Sequence, residues 1–153
     1  MRLTLIVVVA WLIAAASAAA AGSDSVVITA PSHAQIQQQV RISFSGSDSA
    51  PASALGARID ALLERPASAG GTTCRSDIAL TEQNHPHAYI ELLLHHAVDP
   101  RHKHVFSVRI KTRRLKIIGR WLVCAWEYDN QGISSTSSPA ARAVRSFTVT
   151  SNQ

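Results

Sequence analysis

The stretch Gly119-Arg120-Trp121-Leu122-Val123-Cys124-Ala125-Trp126-Glu127-Tyr128 decides the fold. Successive side chains of an extended chain point to opposite faces, so Leu122, Cys124 and Trp126 lie on one side and Trp121, Val123 and Ala125 on the other. Apolar residues on both sides mark a central strand covered from two directions. The stretch also carries Cys124, one of two cysteines; the other is Cys74.

Outward from this strand the chain shows period-two patterning broken by turn residues. Ser25 to Ala30 reads as a first strand, stopped by Pro31. Gln35 to Ser45 reads as a second, with Val40, Ile42 and Phe44 alternating with Gln39, Arg41 and Ser43. Gly56 to Glu64 places Ala57, Ile59, Ala61 and Leu63 inward and Arg58, Asp60 and Glu64 outward. Phe106, Val108 and Ile110 alternate with Ser107, Arg109 and Lys111, and Arg145 to Thr150 closes the chain with Phe147 and Val149 facing in. About seven short strands at such spacing predict an all-β fold, a single antiparallel sandwich over residues 23–153. Asp77 to Gln83 suits a short helix capped by Asp77. Tyr89 to Val98 fits a helix starting at Pro86 or a strand; we read a strand, because Asp99-Pro100 leads directly into the next one. At 153 residues there is room for one ordinary domain.

Residues 1–21 read as a secretory signal peptide. Arg2 supplies a positive start, Leu3 to Ile13 is apolar apart from Thr4, and Ala16-Ser17-Ala18 and Ala19-Ala20-Ala21 both fit the small-x-small cleavage rule. The alternative is an uncleaved anchor, since Leu3 to Ala21 just reaches the roughly 18 residues that a span needs. Either way the expected location is secreted or cell-surface, and two cysteines in an oxidising compartment read as a Cys74–Cys124 disulfide.

The segments Ala30-Pro31, Val40-x-Ile42-x-Phe44-Ser45-Gly46, Gly71-x-x-Cys74, Gly119-x-x-Leu122-x-Cys124-Ala125 and Arg145-Ser146-Phe147-Thr148-Val149 follow one another in a familiar order. The chain resembles the short secreted bacterial proteins that consist of a leader and one immunoglobulin-like β-sandwich. That resemblance implies the fold and no catalytic residues. Residue 122 is Leu where a tyrosine corner needs Tyr, and no Trp lies on the strand ending at Glu64, so antibody-like recognition is not implied.

Two constellations offer chemistry. Six of the seven histidines, His85, His87, His95, His96, His102 and His104, fall within twenty residues. In a strand, His-x-His puts both rings on one face. Converging imidazoles at His85, His87, His95, His102 and His104, with Asp77, Glu82, Glu91 or Asp99 nearby, would suit zinc or copper. On a helix His87, Glu91 and His95 would form one stripe instead. The second constellation is basic: Arg109, Lys111, Arg113, Arg114, Lys116 and Arg120 on a hairpin, with no acid between Asp99 and Glu127. With a formal net charge of +5, such a face would hold an anionic cell-envelope polymer or another surface protein. Edge strands also carry Lys and Arg simply to resist aggregation. Nucleic acid is excluded because aromatics do not interleave with the charges, and a membrane would be met only through an uncleaved N-terminus. No GxSxG elbow, P-loop or GxGxxG is present, and the carboxylates are few and scattered. These features lead us to expect a non-catalytic exported binding or structural module without a cofactor, its alternative being a zinc- or copper-binding protein.

Overall fold

The structure, a computed structural model, describes residues 23–49, 58–71, 73–84, 89–97, 105–129 and 138–152, for 82, 84 and 89–97 in backbone only. Among these residues the strands are β1 (Ser25–Thr29), β2 (His33–Gln35), β3 (Arg41–Ser47), β4 (Arg58–Glu64), β5 (Tyr89–Ala97), β6 (Val105–Lys111), β7 (Gly119–Tyr128) and β8 (Ala141–Thr150). Between β4 and β5 lie a short 3-10 turn (Ala67–Ala69) and one α-helix, α1 (Ile78–Asn84).

The strands form two sheets, one of order β1-β3-β6 and one of order β2-β8-β7-β4-β5. Strand β7 is interior to the larger sheet, flanked by β4 and β8, as its two apolar faces require. The fold is an all-β sandwich. Its pairs are antiparallel except β2 with β8. That exception follows from Pro31: proline has no N–H to continue a ladder, so the chain leaves the small sheet after β1. It resumes as β2 on the large sheet, where the Ser32 carbonyl accepts Thr148 N–H at 3.0 Å.

Between the sheets lies the main core, built from Ile42 and Phe44 of β3, Ile59, Ala61 and Leu63 of β4, Trp121, Val123 and Ala125 of β7, and Phe147 and Val149 of β8. Trp121 and Phe147 sit opposite each other in register and stack with ring centroids 6.4 Å apart. A second, smaller cluster covers the outer face of β4 and β7. Leu62, Cys124, Trp126 and Tyr128 meet Ile78 of α1, with Cys74 packed alongside. Cys74 and Cys124 form a disulfide with Cα atoms 5.6 Å apart, an ordinary span for such a bridge. Trp121 and Trp126 are both core residues with satisfied indoles: Trp121 donates to the Ile117 carbonyl and Trp126 to that of Arg75.

Several sequence expectations are met and several corrected. The helix forms as expected, with Asp77 Oδ1 accepting Leu80 N–H at 2.7 Å. Tyr89–Ala97 is a strand, so the helical stripe of His87, Glu91 and His95 does not form. The expected second strand from Gln35 to Ser45 is instead two, β2 and β3 on different sheets, with Gln37 in the left-handed region (φ 66°) at the turn between them. Asp60 and Glu64 are buried, not outward, because Ile78 of α1 and the Cys74–Cys124 disulfide cover that face. Asp60 is held there by Arg58 at 2.8 Å.

The basic hairpin is also corrected. Strand β6 belongs to the small sheet and β7 to the large one, so residues 112–118 cross between sheets. The crossing is fixed by the 37–40 segment: Thr112 N–H donates to the Val40 carbonyl, Val40 N–H donates to Thr112 Oγ1, and Leu115 exchanges backbone bonds with Gln37 and Gln38.

Gly46 marks a close approach between strands. A Cβ there would stand 1.9 Å from the Ser25 carbonyl oxygen, and the Phe106 ring fills the space a side chain would take. Gly46→Ala is therefore expected to force β1 away from β3 and to cost roughly 1–3 kcal/mol, as overpacking does. Urea denaturation reads this as a lower midpoint at unchanged m-value.

Candidate metal centre

Along β7 the inward-facing set Trp121, Val123, Ala125 is continued by Glu127, two residues further on. A carboxylate thus stands where the core pattern calls for an apolar side chain. Glu127 is fully buried, and among the described residues neither of its carboxylate oxygens has a hydrogen-bond partner. Burying such a group uncompensated is costly. Its neighbours make it costlier.

The sandwich gathers three more carboxylates at this end. Asp24 precedes β1 and Asp48 follows β3, and the Ser25–Ser47 pairing brings those two chain ends side by side. Asp129 follows β7 directly. One carboxylate oxygen from each of Asp24, Asp48, Glu127 and Asp129 lies within 4.8 Å of the others. Asp48 and Glu127 are buried, Asp24 is half-buried and Asp129 exposed, so the cluster runs from the core end to solvent. Asp24 is oriented by Ser49 N–H, which donates to its Oδ1 at 2.6 Å. Ser25 Oγ accepts Ser47 N–H and lies 2.8 Å from Ser47 Oγ, tying the two ends together.

The crowding shows in the protonation equilibria. Burial first, and then the charges of Asp24, Asp129 and Asp48, push the Glu127 carboxyl up from 4.5 to about 8. Asp129 is raised in the same direction by burial and by Asp24 and Asp48. A divalent cation would relieve both effects at once. All-oxygen, all-carboxylate donors suit a hard ion of the calcium, magnesium or manganese kind, not zinc or copper. Calcium–oxygen bonds run about 2.3–2.6 Å, so ligands on opposite sides of one ion stand roughly 5 Å apart. The spread of these four oxygens matches that diameter.

This cluster is not the site that the sequence pointed to. Four of the ten acidic residues meet here, although they are scattered along the chain. The one legible trace was Glu127, an acid on the inward parity of the most apolar strand. The histidines His85, His87, His102 and His104 lie outside the described residues, and so do the side chains of His95 and His96. The backbone of β5 sets His95 opposite Asp60 and His96 opposite Ile59. The six basic residues do not share a face. Arg109 and Lys111 point outward from β6, where Arg41 joins them across the register. Arg113, Arg114 and Lys116 lie on the crossing segment, and Arg120 lies on the large sheet.

The fold and site together define a two-sheet β-sandwich with one disulfide and an acidic cluster where the sheets meet. No family model matches the chain, and no curated protein matches it. Among solved structures it is similar to a superoxide reductase (neelaredoxin) from Ignicoccus hospitalis, at 14% identity and a TM-score of 0.47 over 82% of this chain and 80% of that one. That neighbour is an enzyme, and the expectation of a non-catalytic domain is corrected on that finding. The likeness carries no residue, metal or reaction over to this chain.

Proposed function

We propose that this protein is an exported β-sandwich module that holds a calcium-class divalent cation at Asp24, Asp48, Glu127 and Asp129. The observation that carries the reading is Glu127, fully buried with neither oxygen hydrogen-bonded, yet within ligand distance of three other carboxylates. Asp24 and Asp48 come from the small sheet and Glu127 and Asp129 from the large one, so the ion clamps the two layers at one end. Export is supported by the leader-like residues 1–21 and by the Cys74–Cys124 bridge, which persists in oxidising compartments. Among the described residues no helix is long and apolar enough to cross a membrane. The order of strands, with β2 parallel to β8, supports the immunoglobulin-like form of the sandwich. The partner side of the module is an anionic envelope polymer or another surface protein, met by Arg41, Arg109 and Lys111 on the outer face of the small sheet.

The test is titration of the oxidised domain with calcium, magnesium and zinc, followed by calorimetry and thermal unfolding. Calcium is expected to bind one to one, with a Kd of about 10⁻⁴–10⁻³ M as in other extracellular modules. At a hundredfold excess over Kd it should add about 2.7 kcal/mol of stability. Asp48→Asn should remove most of that gain. Absence of calcium binding at 10 mM, or tighter binding of zinc that survives Asp48→Asn, would overturn the reading.

A further inference from the structure

At the other end of β7, on the outer face of the large sheet, a cleft of about 570 Å³ opens between Arg65–Ser68 with Thr73 and Cys74 on one side and strands β7 and β8 on the other. Its size falls within the range of small-molecule sites. The floor is apolar, formed by Leu122 of β7 and Val144 of β8, and Val144 is half exposed in it. One wall is Pro66 and the turn that follows, closed by Ala69 and Gly71 N–H groups donating to the Pro66 carbonyl. The Cys74–Cys124 bridge ties that wall to the sheet. Gly119 completes it: the residue has φ 131°, and a Cβ there would meet Pro66 at 2.9 Å.

Among the described residues two cations line this apolar hollow, Arg65 and Arg120, and no carboxylate does. Arg120 is exposed. Arg65 Nε is buried and has no hydrogen-bond partner among the described residues. A charged donor held without a partner beside an apolar floor is costly. A ligand that supplies an anionic head to the arginines and an apolar body to the floor would satisfy both features. Arg is well suited to the head group, because its planar fork matches a carboxylate.

We infer that this cleft binds a small amphiphilic carboxylate, its head on Arg65 and Arg120 and its aliphatic body on Leu122 and Val144. The site is separate from the acidic cluster in residues, face and charge, so it stands whether or not the cation is bound.

The test uses decanoate and the uncharged decanol with methyl-labelled oxidised protein, read by NMR shifts of the Leu122 and Val144 methyls. Decanoate is expected to saturate those shifts, and decanol to bind about tenfold more weakly, as loss of a charge-assisted hydrogen bond implies. Arg120→Ala should weaken decanoate by about the same factor. Val144→Asp, at a half-exposed strand position, should abolish binding by placing like charge on the floor. Thermal unfolding of both variants verifies the fold, and Arg120→Ala alone suffices if Val144→Asp does not fold. Equal binding of decanoate and decanol, shifts located elsewhere, or decanoate affinity unchanged by Arg120→Ala would overturn the assignment.

Discussion

Glu127→Gln is expected to make the cation-free protein more stable at alkaline pH, by on the order of 5 kcal/mol, a stabilisation that fades toward pH 4.5. In the unfolded chain the carboxyl titrates near 4.5, and in the fold it titrates near 8. Between those values the folded protein keeps a proton that the unfolded chain has released. Stability then falls as pH rises through that window and levels off above it. Each unit of separation is about 1.4 kcal/mol, and the total is comparable to the whole net stability of a domain. Glutamine imitates the protonated acid, so it removes this loss. Saturating calcium should narrow the gap by about 2.7 kcal/mol: the wild type gains stability at pH 8 and the glutamine variant does not. Urea denaturation at pH 5, 7 and 9, with EGTA and with calcium, measures both halves. If the variant is less stable than wild type at pH 9 in EGTA, Glu127 is satisfied by some other means and the cation reading loses its support.

The second large effect concerns the disulfide. Replacing Cys74 and Cys124 together by alanine should cost about 4 kcal/mol, the chain-entropy value for a bridge spanning 50 residues. For a domain of this size the unfolding midpoint should fall by roughly 10–20 °C. The damage should be local before it is global. Helix α1 is seven residues long, too short to persist alone. It is held by Ile78 against Leu62 and Trp126, and by the Ile78 N–H donated to Tyr128 Oη at 3.2 Å. Amide exchange should therefore accelerate first at residues 78–81, while β4 and β7 remain protected. A loss below about 1 kcal/mol, with exchange in α1 unchanged, would show that the apolar contacts hold the segment without the bridge.

How much of this was legible follows from what kind of information each feature needs. Alternation is local, so most strands could be read: Ile42 and Phe44, Ile59, Ala61 and Leu63, and Phe147 and Val149 are buried where their parity placed them. The capped helix at Asp77 is local in the same sense. The position of 119–128 at an interior of the large sheet followed from its two apolar faces, and the pairing of Cys74 with Cys124 from there being two cysteines in a chain expected to be exported. The misreadings share one cause. Whether residues 105–128 make a hairpin or a crossing depends on Val40, some seventy residues away, whose carbonyl accepts Thr112 N–H and whose N–H donates to Thr112 Oγ1.

The layered all-β architecture, the strand that anchors it and the covalent bridge can be read from the residues in order, because each rests on periodicity or on residue type alone. The chemistry depends on contacts between distant parts of the chain. Asp24, Asp48, Glu127 and Asp129 are joined by the pairing of β1 with β3 and by the stacking of one sheet on the other. Arg65 and Arg120 line one cleft because the chain after β4 folds back over β7. Charges separated by tens of residues carry no local signature; strand register and sheet packing bring them together.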